Sequence, residues 1–341
     1  MSKNPGSAAS ARALRAPAPV APVRPGSTQP APGLIVLALA LGGACLLAGL
    51  DAVLLRLGAW APAGGAALAA LRDPLLLVGF LGAVIALERA VAVGETRALL
   101  APVGCASGCL ALVAGVPEPA GQVVAFLGSA ALCAVEVRLH RRAPSVAVDI
   151  RVMSAIALTL GNLLWLRGMA IATCVPLWLL LPVLTVVGER LEPAAGSSGA
   201  VPGTVVQEAL RALSAAVLLG ACMLGVTGGA RLVIGPALLA MAAVMAGDDV
   251  ARGAVRATGA ARLAAACVLT GRLWLAVAGL AWSLSPLDAG PGVGRGAYKI
   301  VAPAIVLAWG LPVVTARITT RAATAPVSGR PGTGPATARR S

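Results

Sequence analysis

The chain has 341 residues, of which 58% are hydrophobic and 12% charged, and it carries a formal net charge of +14. A soluble domain carries about 25% charged residues. A core built from a chain of this length cannot hide so much apolar surface, which excludes an ordinary soluble protein and makes lipid the expected solvent. The positive charge lies in the tails and alternate loops rather than in one patch, so it reads as orientation in a bilayer and excludes nucleic acid as a partner.

Only 3% of residues are aromatic. Ala, Gly, Val and Leu supply the hydrophobicity, and such small residues suit close helix–helix contact in lipid. Arg outnumbers Lys 25 to 2, which together with the Ala, Gly and Pro content points to a GC-rich bacterial genome.

Residues 1–32 contain seven prolines, four basic residues and no acid, and read as a disordered basic tail. The tail is too proline-rich for a signal sequence, and the apolar run after it is too long for one, so no cleavage is expected. Ten apolar segments follow, at 33–55, 74–94, 98–116, 119–137, 150–167, 171–188, 205–226, 230–247, 262–284 and 297–316. Each is near the length that crosses about 30 Å of hydrocarbon. The fifth has a short uncharged core and is expected to borrow Val146 to Arg151. The fold class is therefore all-α: a polytopic transmembrane helix bundle of about ten helices over 33–316, closed by a second disordered basic tail, 317–341.

With the N-terminus in the cytosol, the inside segments hold 19 basic residues and the outside loops 6. That split places both termini inside. Trp60, Trp165, Trp178, Trp282 and Tyr298 then fall at outer helix edges, where an interfacial aromatic belt is expected. Gly104-x-x-x-Gly108 and Gly79-x-x-Gly82 read as sites of close backbone approach. Pro182 and Pro312 fall inside helices and predict kinks. The glycine-rich loop 290–296 follows no strand and reads as a flexible turn.

The second, fourth, sixth and eighth helices all end in acid plus base: Glu88-Arg89, Glu136-Val-Arg138, Glu189-Arg190-Leu-Glu192 and Asp248-Asp249-Val-Ala-Arg252. Arg at a helix C-terminus suits the dipole, whereas a carboxylate there opposes it by about 0.3–1 kcal/mol. Four repetitions of that placement require compensation. Neighbours in a helix point about 100° apart, so pairing between helices is expected: Glu88 with Arg190, and Glu189 with Arg89. Asp248 and Arg252 can pair within one helix. The bland reading is a ring of interfacial anchors; the functional one is a cytosolic gate or ligand site.

Arg272 sits near mid-membrane in the ninth segment, where a charge marks a functional candidate. Its candidate partners are Asn162, Thr159 or backbone carbonyls, or the water of a cavity that it lines. The seven cysteines lie in or beside apolar runs without a C-x-x-C pair and read as small core residues. His140, the one histidine, reads as a loop residue in L-H-R-R.

Several of these stretches carry a resemblance. They are Gly79, Phe80, Gly82, Ile85 and Leu87 to Ala92; Gly161 to Leu166; Trp178 to Glu192; Asp249 to Arg252; and Gly271 to Gly279. Together they resemble a family of polytopic membrane proteins of bacteria and archaea with no assigned activity. That family is distantly similar to haem–copper membrane proteins, including the NnrS type linked to nitric oxide, because histidines recur in its helices. The resemblance implies an all-helical membrane fold and, through those histidines, redox chemistry. In this chain the histidine motifs read Asp73-Pro74, Asp288-Ala-Gly-Pro-Gly292 and Ile300-Val-Ala-Pro303. Haem needs an axial His, Met, Cys or Tyr and the usual copper sites need His, so no cofactor, metal or catalytic residue is expected.

Three readings follow. The first is a non-enzymatic protein of the bacterial inner membrane, a relative acting as an assembly or partner subunit, with the bilayer, a membrane-protein partner or a second copy as its contacts. The second is a small-solute or anion transporter using the charge ring and Arg272. The third is a redox protein.

Overall fold

The computed structural model describes residues 32–58, 66–192, 202–224, 227–247 and 260–284. Every regular element among them is helical. The long helices are α1 (Pro32–Arg56), α2 (Pro74–Val93), α3 (Thr96–Val113), α4 (Glu118–Arg142), α5 (Val146–Leu166), α6 (Ile171–Leu191), α7 (Thr204–Met223), α8 (Arg231–Ala246) and α9 (Ala260–Leu284). A short piece, Ala66–Ala70, precedes α2. Seven helices, α1 to α7, are long and apolar enough to cross a membrane, and α8 is shorter at 16 residues. The expected tenth segment, the C-terminal tail, the loop 290–296 and all but the last residue of the N-terminal tail lie outside the described residues.

Local chemistry sets the ends. α2 begins at Pro74, winds as a π-helix to Gly82 and continues as α-helix to Val93. Gly94 closes it at φ 73°, a left-handed conformation that only glycine adopts without strain, and its N–H donates to the Ala90 carbonyl at 3.1 Å. α5 starts at Val146 because Ser145 caps it: the Ser145 hydroxyl accepts from the Val148 N–H at 3.3 Å.

Two sequence readings are corrected here. α4 does not stop near residue 137; nothing in L-H-R-R breaks a helix, and it runs to Arg142. His140 therefore sits on its last turn rather than in a loop. Trp165 and Trp178 are not belt residues: both are fully buried, and their rings meet edge to face with centroids 5.5 Å apart. Depth along a helix says nothing about which way a side chain faces, and both face the core.

α6 is the centre of the bundle. Every residue from Leu177 to Gly188 is buried, as for a helix surrounded on all sides. One apolar cluster joins it to α1 through α5, and a second joins it and α5 to α7, α8 and α9. α3 and α4 meet backbone to backbone. A Cβ on Gly104 would lie 2.7 Å from Gly128 Cα, and one on Gly108 2.5 Å from Ala125 N.

No flexible side chain can yield at those points. Gly108→Ala should therefore destabilise the protein by about 1–3 kcal/mol, read as thermal unfolding in detergent. Gly43→Ala, where nothing lies within 4 Å, should be neutral or gain up to about 1 kcal/mol. Equal effects at the two positions would contradict the packing described.

Candidate functional site

Helical spacing carries charge into the interior at one end of the bundle, where α2, α4 and α6 finish and α5 begins. On α2, Arg89 shares the buried face of Ala86, Ala90 and Val93. On α4, Glu136 continues the buried face of Ser129 and Leu132, while Arg138, two residues on, points out. On α5, Arg151 lies on the buried face of Ala147, Ser154 and Leu158. α6 brings Glu189 and Glu192 to the same place at its end.

Glu136 is only 2% exposed. Its Oε1 lies 3.5 Å from Arg89 Nε, and its Oε2 lies 3.6 Å from Arg151 Nε. It is thus shared between two guanidiniums by charge rather than by close hydrogen bonds; Arg89 Nε, Arg151 Nε and Glu136 Oε2 make none. The close contacts go outward from there. Arg89 Nη2 donates to Glu189 Oε1, and Arg151 Nη1 donates to Glu192 Oε1. Glu88 stands 4.0 Å from Arg89. Gly188 makes room for this crossing: a Cβ there would lie 2.7 Å from the Ala147 carbonyl and 2.9 Å from Arg151 Cγ. One turn deeper, the Ser154 and Thr185 hydroxyls meet at 3.2 Å.

The cluster ties four helices together, and its two guanidiniums answer the dipole problem posed by carboxylates at helix C-termini. Arg151, which the fifth segment is expected to include, has no place in the charge network read from the sequence. The signal was available, because a cation near the start of a helix opposes the dipole just as a carboxylate opposes it near the end. Glu95 was also missed. It lies between α2 and α3 and accepts from Arg138 Nη1 at 2.7 Å and Arg142 Nη2 at 2.9 Å, so Arg138 belongs to this outer group rather than to the buried one. A third group joins Asp149 to His140 Nδ1 at 2.9 Å and to Arg211 Nη1 at 3.4 Å.

Arg190 is exposed. Asp248, Asp249 and Arg252 lie outside the described residues. Asn162 and Arg272 are placed on different helix pairs. Asn162 is fully buried on α5, and its Nδ2 donates to the Ala125 carbonyl of α4 at 3.3 Å. Arg272 is 6% exposed on α9, which packs on α8. The Cys45 thiol donates to the Ala106 carbonyl and the Cys109 thiol to the Pro74 carbonyl, each at 3.4 Å. Among the described residues no three His, Cys, Asp or Glu side chains converge as a metal site.

A family model described as "Domain of unknown function (DUF8744)" matches residues 35–320, and the chain belongs to that family. No curated protein and no solved structure matches the chain.

Removing Glu136 leaves two buried guanidiniums facing each other. Glu136→Gln should cost about 3–5 kcal/mol, measured by unfolding in detergent. Arg138→Gln removes a charge from the exposed group and should cost about 0–1 kcal/mol. If the two variants unfold alike, the inner group is not the buried clamp described.

Proposed function

We propose that this member of the DUF8744 family is a multi-pass protein of the bacterial cytoplasmic membrane, with both termini in the cytosol, that acts as an assembly or partner subunit rather than as an enzyme. The observation that carries this reading is how the buried charges at the charged end are used. Glu136 and Glu189 both lie against guanidiniums. Neither is left poised as an acid or base. Seven helices of spanning length and composition support the membrane location. The 19-to-6 distribution of basic residues supports the orientation.

One observation favours a second reading, solute or anion transport. Arg272 is buried halfway along α9, and a guanidinium at that depth marks solute and ion pathways.

Purification of the tagged full chain in mild detergent, with a periplasm-only reporter fused to either terminus in parallel, separates these readings. The proposal expects a homo-oligomer or a membrane protein at fixed ratio, no haem band, no copper near one per chain, and silent reporters at both ends. A monomer whose anion flux in proteoliposomes is lost in Arg272→Gln would replace it with transport. A haem band or stoichiometric copper would replace it with the redox reading. An active C-terminal reporter would overturn the orientation.

A further inference from the structure

The charged end carries a second, outward-facing feature that the buried cluster does not use. Four arginines gather where α3 begins and α4 finishes: Arg97 on α3, and Arg138, Arg141 and Arg142 on α4. One carboxylate, Glu95, stands among them and accepts from Arg138 and Arg142. Four guanidiniums against one carboxylate leave a surplus of positive charge. Arg138 and Arg142 are also open, their side chains 53% and 55% exposed, so each keeps N–H donors facing outward while Glu95 holds it in place. Arg97 and Arg141 are exposed and make no ion pair among the described residues.

The arginines continue an apolar stripe. Among the exposed positions of α4, Leu127, Ala134, Arg138 and Arg141 are spaced seven, four and three residues apart and share one helix face. On α3, exposed Leu100 lies one turn from Arg97. α3 and α4 are antiparallel and in backbone contact through Gly104 and Gly128, so Leu100 and Arg97 of α3 lie at the same end as the α4 arginines, with exposed Leu127 and Ala134 further along α4.

We infer that this α3–α4 edge binds an anionic phospholipid, its acyl chains against Leu100 and the Leu127–Ala134 face of α4 and its phosphate headgroup held by Arg97, Arg138, Arg141 and Arg142. The inference rests on the membrane reading above. Planar guanidiniums match phosphate oxygens two at a time. Fixing Arg138 and Arg142 on Glu95 reduces the ordering cost of binding. A basic cluster where a spanning helix meets the interface is the arrangement that anionic headgroups select.

The test uses the full chain in nanodiscs of phosphatidylglycerol and phosphatidylcholine, with retained lipids counted by native mass spectrometry. The wild type should keep phosphatidylglycerol in preference to phosphatidylcholine. The double variant Arg97→Gln/Arg141→Gln removes no ion pair and should remain folded by circular dichroism. Its preference should fall roughly ten- to thirtyfold. Arg56→Gln/Arg167→Gln, the same change of charge at the opposite end, should leave the preference intact. An unchanged preference in the first variant, or an equal loss in both, overturns the site. Release of the lipid by excess inorganic phosphate would assign the arginines to a free anion instead. A chain that enters nanodiscs of neither lipid contradicts the membrane reading itself, an outcome distinct from a chain that enters both without preference.

Discussion

Glu136 lies where water does not reach, with Arg89 on one side at 3.5 Å and Arg151 on the other at 3.6 Å. A single carboxylate cannot neutralise two guanidiniums, so each must find a second acid. Arg89 finds Glu189 and Arg151 finds Glu192. This requirement fixes the ends of α2, α4 and α6 and the start of α5 relative to one another. Such a group is not a large source of stability compared with well-packed apolar residues, because taking charges out of water is expensive. It is far more discriminating than an apolar contact. A helix slipped by one residue turns its charge about 100° away and strands the partner. The cluster therefore acts as a register pin for four helices whose remaining contacts are mostly small and apolar.

The packing below it is consistent with that role. α6 is buried on every side from Leu177 to Gly188 and has no exposed face along that stretch with which to orient itself. Glu189 and Glu192 supply the orientation at its end. Gly188 lets the α5 backbone come within reach, so that Arg151 can lie across α6. α3 and α4 meet through glycines, which permit backbone contact where a Cβ would clash. The charged end and the glycine seam thus divide the work: the seam brings α3 against α4, and the charges set the rotation of α2, α4, α5 and α6.

Much of the fold was legible in the sequence. The positions of α1 to α9 followed from apolar length, apart from the basic last turn of α4, and Gly94 and Ser145 mark their turns by their own chemistry. The inward face of Arg89 could be read from its spacing to Ala86, Ala90 and Val93. What was not legible depended on direction. Trp165 and Trp178 sit near helix edges by depth, but their rings turn inward against each other. His140 reads as a loop residue because the apolar pattern of the fourth segment ends near residue 137, whereas the helix runs on through the basic residues to Arg142. Glu95 lies outside any apolar segment, and nothing in its neighbourhood announces that two arginines 43 and 47 residues later will converge on it. The order of helices around a bundle, which brings such residues together, is set by long-range packing that a single sequence does not display.

The most direct test of the clamp is a double-mutant cycle on Arg89 and Glu189. Arg89→Gln, Glu189→Gln and the double variant would be compared with the wild type by unfolding in detergent. If the two side chains form a buried pair, each single change strands a charge, and the double change costs less than the sum of the two by about 0.5–3 kcal/mol. Strictly additive losses, or no loss from either single change, would contradict the account.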